Sequence, residues 1–220
     1  MQEKSLFVLN QHPSVANHFL SELRTIGIQE DRMRFRRNLE RIGEVLAYEI
    51  SKTFDYQEHI VETPLRTADV LNIKQTPVLI SVLRAGLPMH QGLLNYFDQA
   101  DCGFVGAFRE HEGNEDDFDI ALKYLAIPDI DQKNVILIDP MLATGSTLVK
   151  VGKELSKQAK PKHIHIASAI ASPEGLAYLR AEMEVVFSLW LGGIDDHLNS
   201  LSYIVPGLGD AGDLAYGPKI

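Results

Sequence analysis

The chain has 220 residues, 45% hydrophobic and 23% charged, which suits one well-buried α/β domain with a smaller accessory element and is short for two independent domains. A formal net charge of −9 argues against a main role in neutralising a nucleic-acid backbone, and a single cysteine, Cys102, excludes an intrachain disulfide or a cysteine-based metal site. No stretch pairs a basic start with a long apolar run, and none approaches the length of a membrane span. A soluble, cytoplasmic protein without membrane partners is expected.

In chain order, residues 5–9 (SLFVL) suit a short strand, and His12-Pro13-Ser14 marks a turn and a helix start. From Val15 to Ile50 the apolar spacing is helical, through Val15, Phe19 and Leu23 and then Phe35, Leu39, Ile42, Leu46 and Ile50. Two helices broken near Gly27 are expected. The basic run 32–37 (RMRFRR) alternates arginine with apolar residues, so a solvated helix face or a subunit contact is its expected use, ahead of phosphate binding. Residues 55–65 (DYQEHIVETPL) alternate weakly and contain Pro64, which predicts an arm or hairpin outside the main sheet.

Residues 77–83 (PVLISVL) form the next apolar strand, closed by Arg84-Ala85-Gly86. Small residues after a strand let backbone approach a ligand, and an arginine there can grip an oxyanion through two parallel hydrogen bonds. Residues 104–108 (FVGAF) are a third strand ending at Arg109. The acidic stretch that follows, within residues 110–119, reads either as a lid facing Mg²⁺ water ligands or, preferably, as a plain solvated loop.

Val135, Ile136, Leu137 and Ile138 read as a strand buried on both faces, and chemistry belongs just past its carboxyl end. There stand Asp139, Pro140 and a hydroxyl-rich turn, Ala143-Thr144-Gly145-Ser146-Thr147, followed at once by a helical pattern through Leu148, Val151, Leu155 and Ala159. A turn that opens a helix presents unpaired N–H groups and the positive end of the dipole, which suits a phosphate. Asp139 can accept from vicinal hydroxyls, so carboxylate and anion nest together suit a ribose 5-phosphate. An ATP-type loop would need a Gly-Lys-Ser/Thr ending, and Lys150 comes too late to supply it.

Residues 161–168 (PKHIHIAS) alternate as a strand, with His163 and His165 on one face; lacking a third ligand at a recognisable spacing, they read as a polar, partly exposed strand face. Ser172-Pro173-Glu174 opens another helix, and residues 185–190 (VVFSLW) are the fifth strand of this alternating series. Asp195, Asp196 and His197 read as a solvated loop. In residues 203–213 (YIVPGLGDAGD), Gly207, Gly209 and Gly212 match a dinucleotide fingerprint by letter, but Pro206 and the short remaining chain rule out the helix and strand that motif needs. Backbone held close to a flat ligand is the better reading.

Three strings carry a resemblance to a known family: LRAG at 83–86, DPMLATGST at 139–147, and YIVPGLGDAGD at 203–213. The second resembles the loop of type I phosphoribosyltransferases that binds 5-phospho-α-D-ribose 1-diphosphate (PRPP), and the wording of all three is similar to the uracil phosphoribosyltransferases. The resemblance implies a mostly parallel five-stranded sheet flanked by helices. One domain would cover 1–220, its core at about 70–190, a hood built from about 1–30 and 191–220, and a protruding arm for dimer contacts.

It also implies transfer of a phosphoribosyl group from PRPP to uracil, giving UMP and diphosphate, with uracil N1 attacking the anomeric carbon. PRPP would be bound by Arg84, Arg109, Asp139, Pro140, Met141, Leu142, Ala143, Thr144, Gly145, Ser146, Thr147 and Asp210, and uracil by Ile204, Gly209, Asp210 and Ala211. Asp139, Asp210, Arg84 and Arg109 are the implied catalytic set, with Asp210 the candidate for assisting N1. Mg²⁺ would arrive through PRPP rather than on a protein cage. A homodimer or higher homo-oligomer is implied, with GTP as a candidate effector.

Two positions depart from the family wording. Pro88 replaces a glycine, and Ser146 replaces a second glycine in the phosphate loop, where its hydroxyl is expected to donate to the phosphate. The rival readings are a transferase for another nucleobase, and a non-catalytic regulator on the same fold that senses a nucleotide or binds RNA. Net acidity and the intact hood string weigh against the regulator.

Overall fold

The computed structural model describes residues 2–111 and 118–219, with the side chains of 107–122 outside the described set. The chain begins with strand β1 (Glu3–Val8), then helix α1 (Val15–Arg24), the short α2 (Ile26–Gln29) and the long α3 (Arg32–Ser51). Strands β2 (Tyr56–Glu62) and β3 (Thr67–Ile73) follow, then β4 (Val78–Leu83), α4 (Leu87–Leu94), β5 (Asp101–His111) and β6 (Phe118–Ala126). The second half runs β7 (Asn134–Ile138), β8 (Met141–Leu142), α5 (Ser146–Gln158), β9 (His163–Ala171), α6 (Pro173–Glu182) and β10 (Phe187–Ile194). Strands β11 (His197–Leu198) and β12 (Ile204–Val205) and helix α7 (Ala211–Tyr216) complete it.

The main sheet has the order β1-β10-β9-β7-β4-β5-β6, with β8 added alongside β9. All pairs are parallel except β5 with β6. The five strands expected from the sequence lie side by side at its centre, in a doubly wound α/β architecture. Two flanking strands extend the expected sheet: β1 pairs parallel with β10 at one edge, and β6 pairs antiparallel with β5 at the other.

Alternation along the central strands assigns each face its own core. Leu79, Ile136, Ile138, Ala167 and Trp190 point toward α1, α3 and α4, whereas Val78, Ile80, Val135, Leu137, Ile166 and Leu189 point toward α5 and α6. Helix α3 is held by one fully buried stripe, Phe35, Leu39, Ile42, Leu46 and Ile50, and Asp31 caps its start by accepting from Met33 N and Arg34 N. The break between α1 and α3 falls where expected, filled by α2.

Three expectations need correction. The arginines of the 32–37 run are not simply a solvated face: Arg34 pairs with the buried Glu22 of α1, and Arg36 donates to Ala215 O at 2.7 Å and lies over the Tyr216 ring. Of the two histidines of β9, His163 is partly buried as expected, but His165 is not on an exposed face. His165 is buried and accepts from Trp190 Nε1 at 3.1 Å, with Phe54 edge-on, and His163 bonds Ser188 Oγ at 2.9 Å. Burial holds the His165 imidazole down at about 3 and His163 at about 4, so both are neutral at physiological pH. The acidic loop is also shorter than expected, because Glu110 and His111 pair with Asp119 and Phe118 as the end of the β5–β6 hairpin. Residues 112–117 lie outside the described residues.

The expected arm is the antiparallel β2–β3 hairpin, a separate two-stranded sheet that exposes Ile60, Leu65 and Leu71. Among the described residues no helix is long and apolar enough to cross a membrane.

Candidate active site

The carboxyl ends of β4, β7 and β10 feed three loops. The first leaves β7 at Asp139, whose N–H donates to Ala167 O at 3.1 Å while its Oδ1 accepts from Met141 N at 3.2 Å. Pro140 O accepts from Ala169 N and Ile170 N, and β8 pairs with β9, so the first half of this loop is stitched to the neighbouring strand. Ser172 completes the stitching by donating to Ala143 O at 2.6 Å while capping α6 through Gly175 N. A rigid seat is thus prepared before the chain turns into α5.

The turn itself depends on Gly145. Its φ of +79° lies in the left-handed region, and a Cβ there would fall 2.7 Å from Gly175 O. Helix α5 then starts at Ser146, and its first amides are of the kind that intrahelical bonds leave unpaired. Thr144 Oγ1 and Ser146 Oγ lie 2.7 Å apart, so the two hydroxyls form one hydrogen-bonded pair at the mouth of the helix. Ser146 thus has a protein partner in Thr144. Dipole, amides and hydroxyls converge there in an arrangement suited to an anion.

Asp139 stands beside this nest. It keeps a partly open face, yet burial pushes its carboxyl up to about 7, opposed by the one hydrogen bond from Met141 N. A carboxyl poised near neutrality at a strand tip is suited to meeting hydroxyl donors that favour its charged form.

The second loop leaves β4 at Arg84. Gly86 N returns to Val82 O at 3.0 Å, and Leu87 N bonds Arg84 O at 3.2 Å, forming the tight turn that starts α4, with Pro88 in its first turn. Arg84 Nη2 donates to Asp213 Oδ1 at 3.0 Å and to Gly217 O at 3.1 Å, so its guanidinium bridges this loop to α7. The backbone of Arg109 lies in β5 opposite Ile120; its side chain is outside the described set.

The third loop follows β10. Asp195 is buried and receives both terminal nitrogens of Arg24, at 2.6 and 2.8 Å, and Gly207 N at 2.9 Å. Arg24 also donates to Gly207 O at 3.0 Å. Expected to lie in a solvated loop, Asp195 is instead the buried anchor of the glycine-rich turn, since α1 supplies a fitted cation. Beyond it, Asp210 caps α7 by accepting from Asp213 N at 2.9 Å.

Ile204, Leu208 and Ala211 belong to one apolar cluster with Ala85, Met141 and Ala143. The 84–86 loop touches its two neighbours: a Cβ on Gly86 would lie 3.1 Å from Ile138 O at the end of β7, and Arg84 donates to Asp213 and Gly217 in and after α7. A cavity of about 580 Å³ elsewhere, lined by Glu40, Leu87, His90, Phe104 and Tyr216 among others, includes none of the 139–147 residues. Sequence reasoning missed Arg24 and Asp213. Neither stands in an expected loop motif beside its partner, and Arg24 pairs with a residue 171 positions away.

Comparison with known proteins finds relatives over most of the chain. A family model described as uracil phosphoribosyltransferase matches residues 9–218. A protein of Porphyromonas gingivalis named uracil phosphoribosyltransferase is 50% identical over 212 residues, covering 96% of this chain and 98% of that one. Among solved structures, the AQ2163 protein from Aquifex aeolicus aligns with a TM-score of 0.85 at 30% identity, over 98% of this chain and 99% of that one. A hypoxanthine phosphoribosyltransferase from Staphylococcus aureus shares the fold alone, with a TM-score of 0.51 at 17% identity over 74% of this chain and 76% of its own.

Proposed function

Because the chain belongs to the uracil phosphoribosyltransferase family of pentosyl-transferring enzymes, we propose that its three loops bind PRPP and uracil side by side and join them into UMP with release of diphosphate. The observation that carries this reading is the 84–86 loop, set against the end of β7 at Gly86 and joined to α7 through the Arg84 bonds to Asp213 and Gly217. On this reading one small molecule spans the phosphate nest and the glycine-rich hood.

In this reading, the amides at the start of α5 hold the 5-phosphate with Thr144, Ser146 and Thr147, and Asp139 accepts from the ribose hydroxyls. Arg84 and Arg109 take the diphosphate. Backbone groups of Ile204, Gly209 and Ala211 read the edge of uracil, and Asp210 lies between base and ribose. Carbon–oxygen cleavage at the anomeric carbon leaves cationic character on the ribose, so positioned partners and a stabilised leaving group do most of the work. The proton on N1 leaves as the new carbon–nitrogen bond forms, with Asp210 the nearest candidate to take it.

The same reading takes Mg²⁺ as a cofactor that arrives bound to PRPP. Bound there it would neutralise charge on the leaving group. The exposed apolar residues of the β2–β3 arm support self-association as a homodimer or higher oligomer, and the same reading takes the protein as cytoplasmic and GTP as an effector to be added in assays.

Asp139 makes the reading testable by pH. Ribose hydroxyls favour the ionised carboxylate, so PRPP should lower its pKa from about 7, and PRPP affinity should rise with pH up to that value and then level off. The limiting slope below it is about tenfold per pH unit. The same raised value means this group's contribution to folding stability is present at low pH and lost as pH rises through about 7. Calorimetric titration with PRPP between pH 6 and 8.5 should show the slope in the unsubstituted protein and none in Asp139→Asn, which also controls for ionisation of PRPP itself. An equal slope in both would remove Asp139 from the site.

Base choice tests the hood. With uracil, cytosine, hypoxanthine and orotate competing for PRPP, uracil should be consumed with a preference of roughly 10³-fold or more, since a site built on fixed donors and acceptors rejects the reversed pattern. Preference for another base would assign the chain a different substrate.

A further inference from the structure

We infer that Asp213 is a positioning residue for the leaving diphosphate, acting through Arg84. The inference rests on the transferase reading above, in which Arg84 meets that group. Among the described residues the Arg84 guanidinium is engaged through Nη2 alone, which donates to Asp213 Oδ1 at 3.0 Å and to Gly217 O at 3.1 Å. Nη2 belongs to both bidentate edges of a guanidinium, so what remains for diphosphate oxygens is Nε–H and the two N–H groups of Nη1, each making a single charge-assisted bond. The arginine is braced through Nη2 and offers its remaining donors.

The brace stands on firm ground. Helix α7 carries Asp213 and is tied to α3 by Arg36, which donates to Ala215 O at 2.7 Å, and its start is capped by Asp210. Asp213 contributes twice, because its backbone N–H donates to Asp210 Oδ1 at 2.9 Å while its side chain holds Arg84. One residue thereby fixes the spacing between the diphosphate arginine and the carboxylate placed between base and ribose. Gly212 leaves room for both: a Cβ there would meet Asp210 Oδ1 at 3.2 Å and Arg84 Nη2 at 3.9 Å.

A purely fold-holding role fits less well. The side chains of Arg84 and Asp213 are 37% and 38% exposed, and pairs so open to solvent contribute little to stability. What the contact does achieve is to stop a long, flexible side chain from sampling other rotamers, which would otherwise be lost when diphosphate binds.

The experiment compares PRPP, inorganic diphosphate and ribose 5-phosphate as ligands of the unsubstituted protein, Asp213→Ala, Asp213→Asn, Arg84→Ala and the Arg84→Ala/Asp213→Ala double variant. Asp213→Ala should weaken PRPP and diphosphate by roughly tenfold, the scale of one charge-assisted hydrogen bond, and leave ribose 5-phosphate unchanged. Asp213→Asn keeps an acceptor oxygen at the same place and should stay within about threefold of the unsubstituted protein. In the Arg84→Ala background the Asp213→Ala effect should vanish. Equal weakening of PRPP and ribose 5-phosphate, tighter PRPP binding, or additive effects in the double variant would each overturn the inference. If the unsubstituted protein binds neither PRPP nor diphosphate, the transferase reading itself fails, a result distinct from any of these.

Discussion

Gly145→Ala is expected to lower kcat/KM for PRPP by roughly 100-fold or more while the protein still folds. The turn at Gly145 has a φ of +79°, and the left-handed conformation costs an L residue about 1–2 kcal/mol. A methyl group there would also lie 2.7 Å from Gly175 O, a backbone atom that Ser172 and the start of α6 hold in place. The cheaper escape is for the turn to flip, which carries the α5 amides and the Thr144–Ser146 hydroxyl pair away from the phosphate. Because α5 is also held by Leu148, Val151 and Leu155 in the core, the damage should fall on binding more than on folding. Steady-state kinetics with PRPP as the varied substrate, alongside a thermal melt, read the two separately. A change of less than about threefold would mean the phosphate is held elsewhere.

Asp195→Ala should be the most destabilising single substitution at the site, at about 3–5 kcal/mol. The buried carboxylate answers both terminal nitrogens of Arg24 and the Gly207 N–H; its loss strands a guanidinium and a backbone donor together. Gly207 has a φ of +63° and sits in the turn between Ile204 and Asp210, so the hood loosens before the sheet does. Urea unfolding should show the stability loss, and at saturating PRPP the KM for uracil should rise more than the KM for PRPP. Asp195→Asn, which keeps one acceptor, should recover part of both. A uracil KM that stays fixed while stability falls would show that the clamp serves the fold alone.

Much of the centre of the molecule was readable from the sequence because the relevant signals are local. The strand at 135–138 and the turn that follows are contiguous, and the left-handed glycine, the hydroxyls and the helix start belong to one short string. Short apolar runs, with alternation at 161–168, likewise located the parallel strands without knowledge of their neighbours.

What the sequence hid depends on partners distant along the chain. Asp195 reads as solvated until α1 brings Arg24 to it, and Asp213 is one acid among many until Arg84 arrives from the end of β4. The histidines of β9 were correctly assigned to a common face, but only the packing of Phe54 and Trp190 reveals that this face is covered. The arginines of α3 show the same limit. Helical spacing marks them as outward-facing, yet Arg36 reaches the carbonyl of Ala215 at the far end of the chain.

The most direct test of one site spanning phosphate nest and hood is product formation. With uracil, PRPP and Mg²⁺, the purified protein should form UMP and diphosphate in equal amounts, and Gly145→Ala and Asp195→Ala should each depress that rate. Consumption of PRPP without UMP, or no reaction of PRPP with uracil at any Mg²⁺ concentration, would contradict it.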